Sequence, residues 1–508
     1  MKKFLLIGAT ALMVSNSTFA GGVLTNTNQN ATFLRNPARN AAIAIDGVYS
    51  NPAGIAFLPE GFHLSVSWQA AFQKRQMDAT NNLFQMNANN QSANRFFEGE
   101  TNAPVIPSFQ AAYVINDKWS VSAQFAVGGG GGACEFAEGL PMFEELIGGI
   151  VYKNNGTSYA LNQNLTGEQY FYGFQVGATY KLTDNFSVFG GARAVLANSK
   201  YTGAISNITA NGVAAGAYMN GLLTQIEAGL GQIAAGLDQI SAGLAQLEPV
   251  KDVAGYKEQY VALQQQQAAL QQQQGELQQK QGALQQGAAL LGGDFNLDCA
   301  QSGFGITPII GIDWNLGKLN LAAKYEFRTK IELENDSKNT SANVTALMPA
   351  YAHGVKNRSD IPALLTLGAQ YSITDNFRAM VGGVYYWDKD AKSGLPEQNK
   401  YAINYGDNTW EANFGLEWDV TDKVLLSFGG QRTQFGFDDA DMSDTNFFTG
   451  CSSLAIGGAY KFSEKMTLNV GYMHSFYDDH KVVNKESGIT RNYTRKNDAV
   501  GVSLDIKF

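Results

Sequence analysis

Cysteine is scarce in this 508-residue sequence: Cys134, Cys299 and Cys451 lie far apart, with none of the close spacing that metal-binding thiols need. An oxidising compartment would allow one disulfide among them, and the odd count leaves at least one thiol over. The spacing does not say which two would pair. Histidine is nearly as scarce, with four residues. His474 and His480 stand near Asp478 and Asp479, as an acid–histidine hydrolase site would at a barrel rim. A solvated charged loop explains the same residues, and nothing else supports catalysis, so no enzyme activity, cofactor or metal is expected. The net charge is −9 and no basic tract occurs, which argues against nucleic-acid binding. Long apolar runs are missing as well. The one apolar run at the start, Phe4–Val14, is shorter than the ~20 residues of a membrane-spanning helix. Lys2 and Lys3 precede it and Thr18-Phe19-Ala20 follows, so residues 1–20 are expected to be an export signal cleaved before Gly21. No cysteine follows that site, so a lipoprotein anchor is not expected.

Glycine (55), phenylalanine (30), tyrosine (22) and tryptophan (6) are what the chain has in quantity. They fall in segments that alternate apolar with polar or small residues, the pattern of a strand with one face in lipid and one in a lumen. Phe62, Leu64, Val66 and Trp68 alternate with His63, Ser65, Ser67 and Gln69. Near the end, Val500, Val502, Leu504, Ile506 and Phe508 alternate with smaller or polar residues. Fourteen such segments can be counted. Short turns such as Asn116-Asp117, Thr183-Asp184-Asn185 and Thr374-Asp375-Asn376 join strands 2–3, 4–5, 6–7, 8–9, 10–11 and 12–13. The other connections are long. Strict alternation of short and long connections is the outer-membrane barrel pattern, with both chain ends on the periplasmic side. Trp68, Trp119, Trp314, Trp387 and Trp418 near strand ends suit interfacial girdles. The fold class expected is therefore all-β: a fourteen-stranded antiparallel transmembrane β-barrel over residues 61–508, in the outer membrane of a Gram-negative bacterium.

Residues 21–60 precede the first strand and do not alternate. They contain Asn36-Pro37-Ala38 and Tyr49-Ser50-Asn51-Pro52-Ala53-Gly54, both turn-forming because proline fixes φ and asparagine bonds its local backbone. A lumen this wide leaks unless something fills it, so the segment is expected to be an N-terminal hatch, or plug. The run AIAIDGVYSNPAGIAFL from Ala42 to Leu58, placed between signal and barrel, resembles the hatch of the FadL/TodX-type transporters of long-chain fatty acids and aromatic hydrocarbons. The paired strands Gly173–Val195 and Ser453–His474 extend the resemblance, which covers about 400 residues. Asn51, Pro52 and Ala53 match the family motif, whereas Asn36-Pro37-Ala38 sits too early and reads as a turn. The resemblance implies a plugged barrel that takes a hydrophobic molecule from a groove among the outer loops to a pocket beside the hatch. From there the molecule leaves sideways through the wall. Leaving water favours such molecules by about 25 cal/mol per Å². A surface adhesin and a general porin are the rival readings.

Candidate ligand residues follow. Phe136, Leu140, Met142, Phe143, Leu146 and Ile147 make an unusually apolar loop after strand 3, either an outer groove or packing against the rim. Gly128, Gly129 and Gly130 open a run of five glycines, read either as a kink in the wall near the lateral gap or as a flexible loop start. Arg193 must face the lumen, since arginine toward lipid at the midplane costs about 2–4 kcal/mol. Parity also turns Lys324, Glu326, Arg328 and Lys330 inward on strand 7. Arg193, Lys324 and Arg328 are candidates for binding a carboxylate or for a salt-bridge network that holds the hatch. Whether the ligand is an acid or a neutral hydrocarbon stays open.

Between strands 5 and 6, residues 215–292 change character. Leu223, Ile226, Leu230, Ile233, Leu237, Ile240, Leu244 and Leu247 follow in steps of three and four, then Pro249 breaks the run. Leu263, Leu270, Leu277, Leu284 and Leu291 recur every seventh residue amid glutamine. Two helices, each roughly 40–55 Å long at 1.5 Å per residue, are expected to pair as an extracellular coiled-coil-like hairpin. Parity of the connections puts this hairpin outside the cell, joined to the barrel only through strands 5 and 6, where it could bind an extracellular partner. The chain as a whole is expected to be a monomer in contact with outer-membrane lipid and lipopolysaccharide.

Overall fold

The computed structural model describes residues 29–395, 400–401, 407–439, 442–484 and 487–508; the expected signal segment lies outside the described residues. Fourteen antiparallel strands close into a barrel. They are β1 (Gly61–Thr80), β2 (Asn94–Val114), β3 (Trp119–Phe136), β4 (Tyr159–Thr183), β5 (Phe186–Ala210) and β6 (Phe295–Asn315). β7 runs in two pieces (Leu319–Glu326, Glu332–Asp336), as do β8 (Lys356–Ser359, Leu364–Thr374), β9 (Phe377–Tyr386, Ser393–Leu395) and β10 (Lys400–Tyr401, Trp410–Asp419). β11 (Val424–Gln434), β12 (Cys451–Ser463), β13 (Met466–Tyr477, His480–Val483) and β14 (Thr490–Lys507) complete it. Closure comes from β1 against β14, registered from His63 opposite Lys507 to Thr80 opposite Thr490. Among the described residues no strand is thereby left at a free edge of the sheet, which a barrel in lipid requires.

The expected alternation sets which side faces out. Phe62, Val66 and Trp68 are 39–44% exposed while Ser65, Ser67 and Gln69 between them are at most 2% exposed. Trp119, Trp314 and Trp418 face outward in the same way near the tight-turn end. No helix among the described residues is long and apolar enough to cross a membrane; the crossing is made by strands. The six short connections fall where the sequence places them.

Residues 29–58 fill the tight-turn half of the lumen. α1 (Ala31–Arg35) and α2 (Gly47–Ser50) are single turns, and Pro52–Phe57 forms a 3-10 turn with Pro52 at its first position. Asn30 and Asn51 cap them, their side-chain oxygens accepting from Thr32 N at 3.0 Å and Gly54 N at 3.3 Å.

Above the long-loop end lie α3 (Pro141–Lys153), α4 (Ala215–Leu247), α5 (Lys257–Leu291) and α6 (Ala342–Leu347). α4 and α5 run antiparallel with a seven-residue repeat of glycine against leucine. A Cβ on Gly229, Gly236 or Gly243 would sit 3.5, 3.2 and 3.2 Å from the Cδ1 of Leu277, Leu270 and Leu263 respectively. Each leucine thus nests where its partner helix lacks a side chain.

Of the two readings of the apolar segment after β3, the structure has the packing against the barrel: α3 lies down on it, with Leu140 and Ile147 fully buried. Its Glu144 and Glu145 hold it there, pairing with Arg95 at 2.9 Å and Arg491 at 2.6 Å. Three expectations are corrected. The hairpin is joined by more than its two strands, because Met219, Ile226, Leu284 and Leu291 at its base belong to the same apolar cluster as α3. Lys330 does not face the lumen. β7 breaks after Glu326, the phase slips by one residue, and Thr329, Ile331 and Leu333 point inward while Lys330 is exposed. Asn36-Pro37 is more than a turn: the Asn36 amide donates to Glu417 at 3.2 Å, and Gly415 and Gly429 leave the room that Asn36 and Pro37 occupy.

Candidate functional site

The plug is held by buried polar contacts to inward-facing wall residues. Asn51 donates to Asp313 at 2.5 Å, and Asn320 donates to the same carboxylate at 2.8 Å. The carbonyls of Val48, Pro52 and Ala53 accept from Gln175 (2.7 Å), Thr179 (2.9 Å) and Ser187 (2.7 Å). On the other side of the lumen Glu417 receives Arg35 at 2.6 Å and Arg39 at 3.0 Å, and Arg39 also pairs with Asp46 at 2.7 Å. Residues Asn51, Pro52 and Ala53 therefore all touch the wall.

Two of the three cationic candidates come together. Arg193 lies flat against Glu326, with contacts at 2.7 and 3.1 Å, and also bonds Gln175. Lys324 reaches Glu326 at 2.7 Å and the Tyr49 carbonyl of the plug at 2.8 Å, its ammonium 4.0 Å from the Tyr49 ring centre. Glu326 is thus held by both cations, and this cluster ties β5 and β7 to the plug. Breaking a buried pair of this kind by removing one partner costs about 3–5 kcal/mol. Arg328 stands apart, at the break in β7, partly exposed and 3.8 Å from Asp360.

A small cavity of ≈ 50 Å³ lies beside the plug, bounded by Arg39, Asp46 and Tyr49 on one side and Lys324, Tyr386 and Glu411 on the other. Those side chains are polar or charged, and at roughly 10–15 Å³ for one water the cavity has room for a few waters. Toward the long-loop end, Phe171, Val195, Ile331, Leu333, Ile361 and Leu364 pack as an apolar layer on the inner wall from β4 to β8. Beyond that layer lies a second cavity of ≈ 70 Å³, walled by Phe136, Met142, Phe143, Leu165, Leu297 and Met348 with Tyr201 and Tyr351. Phe136, Met142 and Phe143 were legible as candidates; Leu140, Leu146 and Ile147 sit in the apolar cluster around it. Tyr201, Leu297, Met348 and Tyr351 carry no local signal, since β5, β6 and the connection from β7 to β8 bring them there.

The wall itself is interrupted beside this layer. β2 and β3 pair from Val114 to Ser108 and again at Thr101 and Glu100, but residues 102–107 and 127–133 make no ladder with each other. Pro104 and Pro107 remove two backbone donors on the β2 side, a signal sequence reading could have used. Gly128, Gly129 and Gly130 lie on the β3 side, and β3 bulges against β4 between Val127 and Gly129 and between Gly130 and Gly132. Gly130 has φ +73°, and a Cβ there would meet the Gln169 carbonyl oxygen at 2.0 Å. Phe171 of the apolar layer is registered opposite Gly129.

Closed, plugged and banded with apolar residues outside, this is a membrane-spanning barrel of the outer-membrane type. No family model and no curated protein matches the chain. Solved structures do. A FadL homologue from Pseudomonas aeruginosa aligns at a TM-score of 0.56 and 12% identity, covering 96% of this chain and 100% of that one. The toluene transporter TodX of Pseudomonas putida aligns at 0.53 and 13%, covering 96% and 100%. A TodX monoaromatic hydrocarbon channel lacking S2 aligns at 0.54 and 14%, covering 96% and 99%. The chain has the FadL-type transporter fold.

Proposed function

We propose that this protein admits hydrophobic small molecules, long-chain fatty acids or aromatic hydrocarbons, across the outer membrane. In this reading the long-loop end faces outward and both chain ends face the periplasm. A molecule enters the apolar cavity beneath α3 and crosses the apolar layer around Phe171. It leaves sideways where β2 and β3 are unpaired, and the plug blocks a straight path for water. The observation that carries the reading is the placement of the interruption directly beside an apolar layer inside a plugged barrel. Such a route keeps an apolar solute among apolar side chains, in keeping with its transfer free energy. The compounds named for the structural neighbours are in the same chemical range.

Deletion of the gene should slow uptake of radiolabelled long-chain fatty acid or toluene, with rates restored by the wild-type chain. Unchanged entry of both, with slowed entry of maltose-sized sugars, would make the protein a general porin instead.

A further inference from the structure

The slip in β7 brings Phe327 and Arg328, two residues in succession, to the outer surface: Phe327 is 42% exposed and the Arg328 side chain 31%. Below them the outward residues of β7 are Leu319, Leu321, Ala323 and Tyr325, an apolar run that ends at Phe327. Eight residues of a strand tilted by ~40° rise roughly 20 Å, so Phe327 stands near the upper edge of the ≈ 25 Å apolar band of such barrels. Tyr325, Phe327, Tyr385 and Trp387 form one cluster at that level. Ring centres are 4.8 Å apart for Tyr325 and Phe327, 5.6 Å for Tyr325 and Trp387, and 5.1 Å for Tyr385 and Trp387. Cations follow in the breaks of the same two strands: Arg328 and Lys330 after Phe327 in β7, and Lys389 after Trp387 in β9. Lys389 is 3.5 Å from Asp407. Arg328 donates to the Asp390 carbonyl and stands 3.8 Å from Asp360, a buried carboxylate that Arg358 holds at 2.5 Å. Elsewhere on this rim outward cations are closely matched: Lys74 lies 2.7 Å from both Glu98 and Glu100, and Arg432 lies 2.5 Å from Asp478.

We propose that this outward shelf of β7 and β9 binds a phosphorylated lipid of the outer leaflet, of the lipopolysaccharide type, with an acyl chain against the rings and a phosphate at Arg328 and Lys330. The proposal rests on the outward orientation of the long-loop end taken above, and not on what the barrel transports. Rings and cations meet there at the depth where a lipid passes from hydrocarbon to headgroup, a depth that aromatic side chains favour. A guanidinium presents forked donors that match phosphate oxygens, and charge-assisted bonds of this kind are the strong ones. Lysine reaches the same layer on an apolar stem. An unbroken β7 would turn Arg328 into the lumen; the slip is what sets ring and cation side by side on the lipid face.

The test is binding of bisphosphorylated lipid A, and of the same lipid with its phosphates removed, to the full-length protein in neutral detergent micelles, followed by native mass spectrometry. The wild type should hold the phosphorylated form on the order of tenfold more tightly, about what one charge-assisted bond supplies. Arg328→Gln together with Lys330→Gln should bring that ratio toward one. Lys330→Gln alone, which leaves the Arg328 contacts in place, should lower it in part. Trp387→Ala should weaken both forms alike. A heat-dependent shift in gel mobility identifies variants whose barrel has closed. Equal binding of the two forms by the wild type overturns the site without any variant, and an unchanged ratio in the closed double variant overturns it too. Phosphatidylglycerol held as tightly as lipid A overturns the outer-leaflet assignment. Toluene uptake, read in the same strains, stands or falls separately, since the double variant leaves plug and cavities untouched.

Discussion

Removing the Asn51 side chain takes from the buried Asp313 one of its two amide donors, while Gly54 N keeps the Asn51 backbone carbonyl as acceptor at 3.0 Å. A buried polar group left short of a partner costs about 1–3 kcal/mol, and here the cost falls on the contact between plug and wall. Asn51→Ala should therefore loosen the plug without opening the barrel. Cells carrying it should become more sensitive to small hydrophilic antibiotics, and unchanged sensitivity with normal assembly would mean that this contact does not seal the lumen. The asparagine was legible from its proline neighbour, but Asp313 was not, because strand parity tells which way a side chain points and not what it meets. Arg193 illustrates the same limit. Its inward direction follows from the expense of a cation in lipid, whereas its partner Glu326 lies 133 residues further on.

At the level of elements, the hairpin divides into a base and a shaft. Met219, Ile226, Leu284 and Leu291 are buried in the cluster that also holds Leu140 and Ile147 of α3, whereas beyond Leu230 and Leu277 the two helices pack on each other alone. Excising the shaft from 231 to 276 behind a short Gly/Ser linker should leave the thermal stability of the barrel nearly unchanged, since shorter loops cost little closure entropy. Excising 215–292 strips several apolar side chains from the cluster, at about 2–5 kcal/mol for each large one lost. Melting followed by circular dichroism should show a clear drop for the second deletion and little for the first. Equal drops would mean that the shaft also braces the barrel. The helices themselves were readable from their heptads. Their docking was not, because Met219 and Ile226 continue the seam and nothing in the spacing marks where a second surface takes over. For α3 the spacing leaves groove and rim both open for a related reason: an apolar stretch in a loop says that something covers it, and here the cover is the rim of its own barrel.

The whole barrel was the most legible part, because every strand repeats the same demand for one apolar and one polar face, and six short turns fix the count. The places where it departs from regularity are those where local rules are broken, at Pro104 and Pro107, at the glycines from 128 onward, and at the slip after Glu326. Parity counting assumes an unbroken strand, so it failed at Lys330. The protein should sediment with outer membranes and migrate differently on gels before and after boiling; recovery as a soluble periplasmic species would refute the architecture. The glycine–leucine seam has a last consequence. Because Gly229, Gly236 and Gly243 meet Leu277, Leu270 and Leu263 at equal intervals on both helices, the arm is measured in units. Deleting seven residues from each helix restores every contact and shortens the reach by about 10 Å at 1.5 Å per residue. Deleting seven from one helix alone puts each leucine one register out. The distance at which the arm holds its tip from the barrel is thus quantised, and can be reset in paired steps without redesigning a single contact.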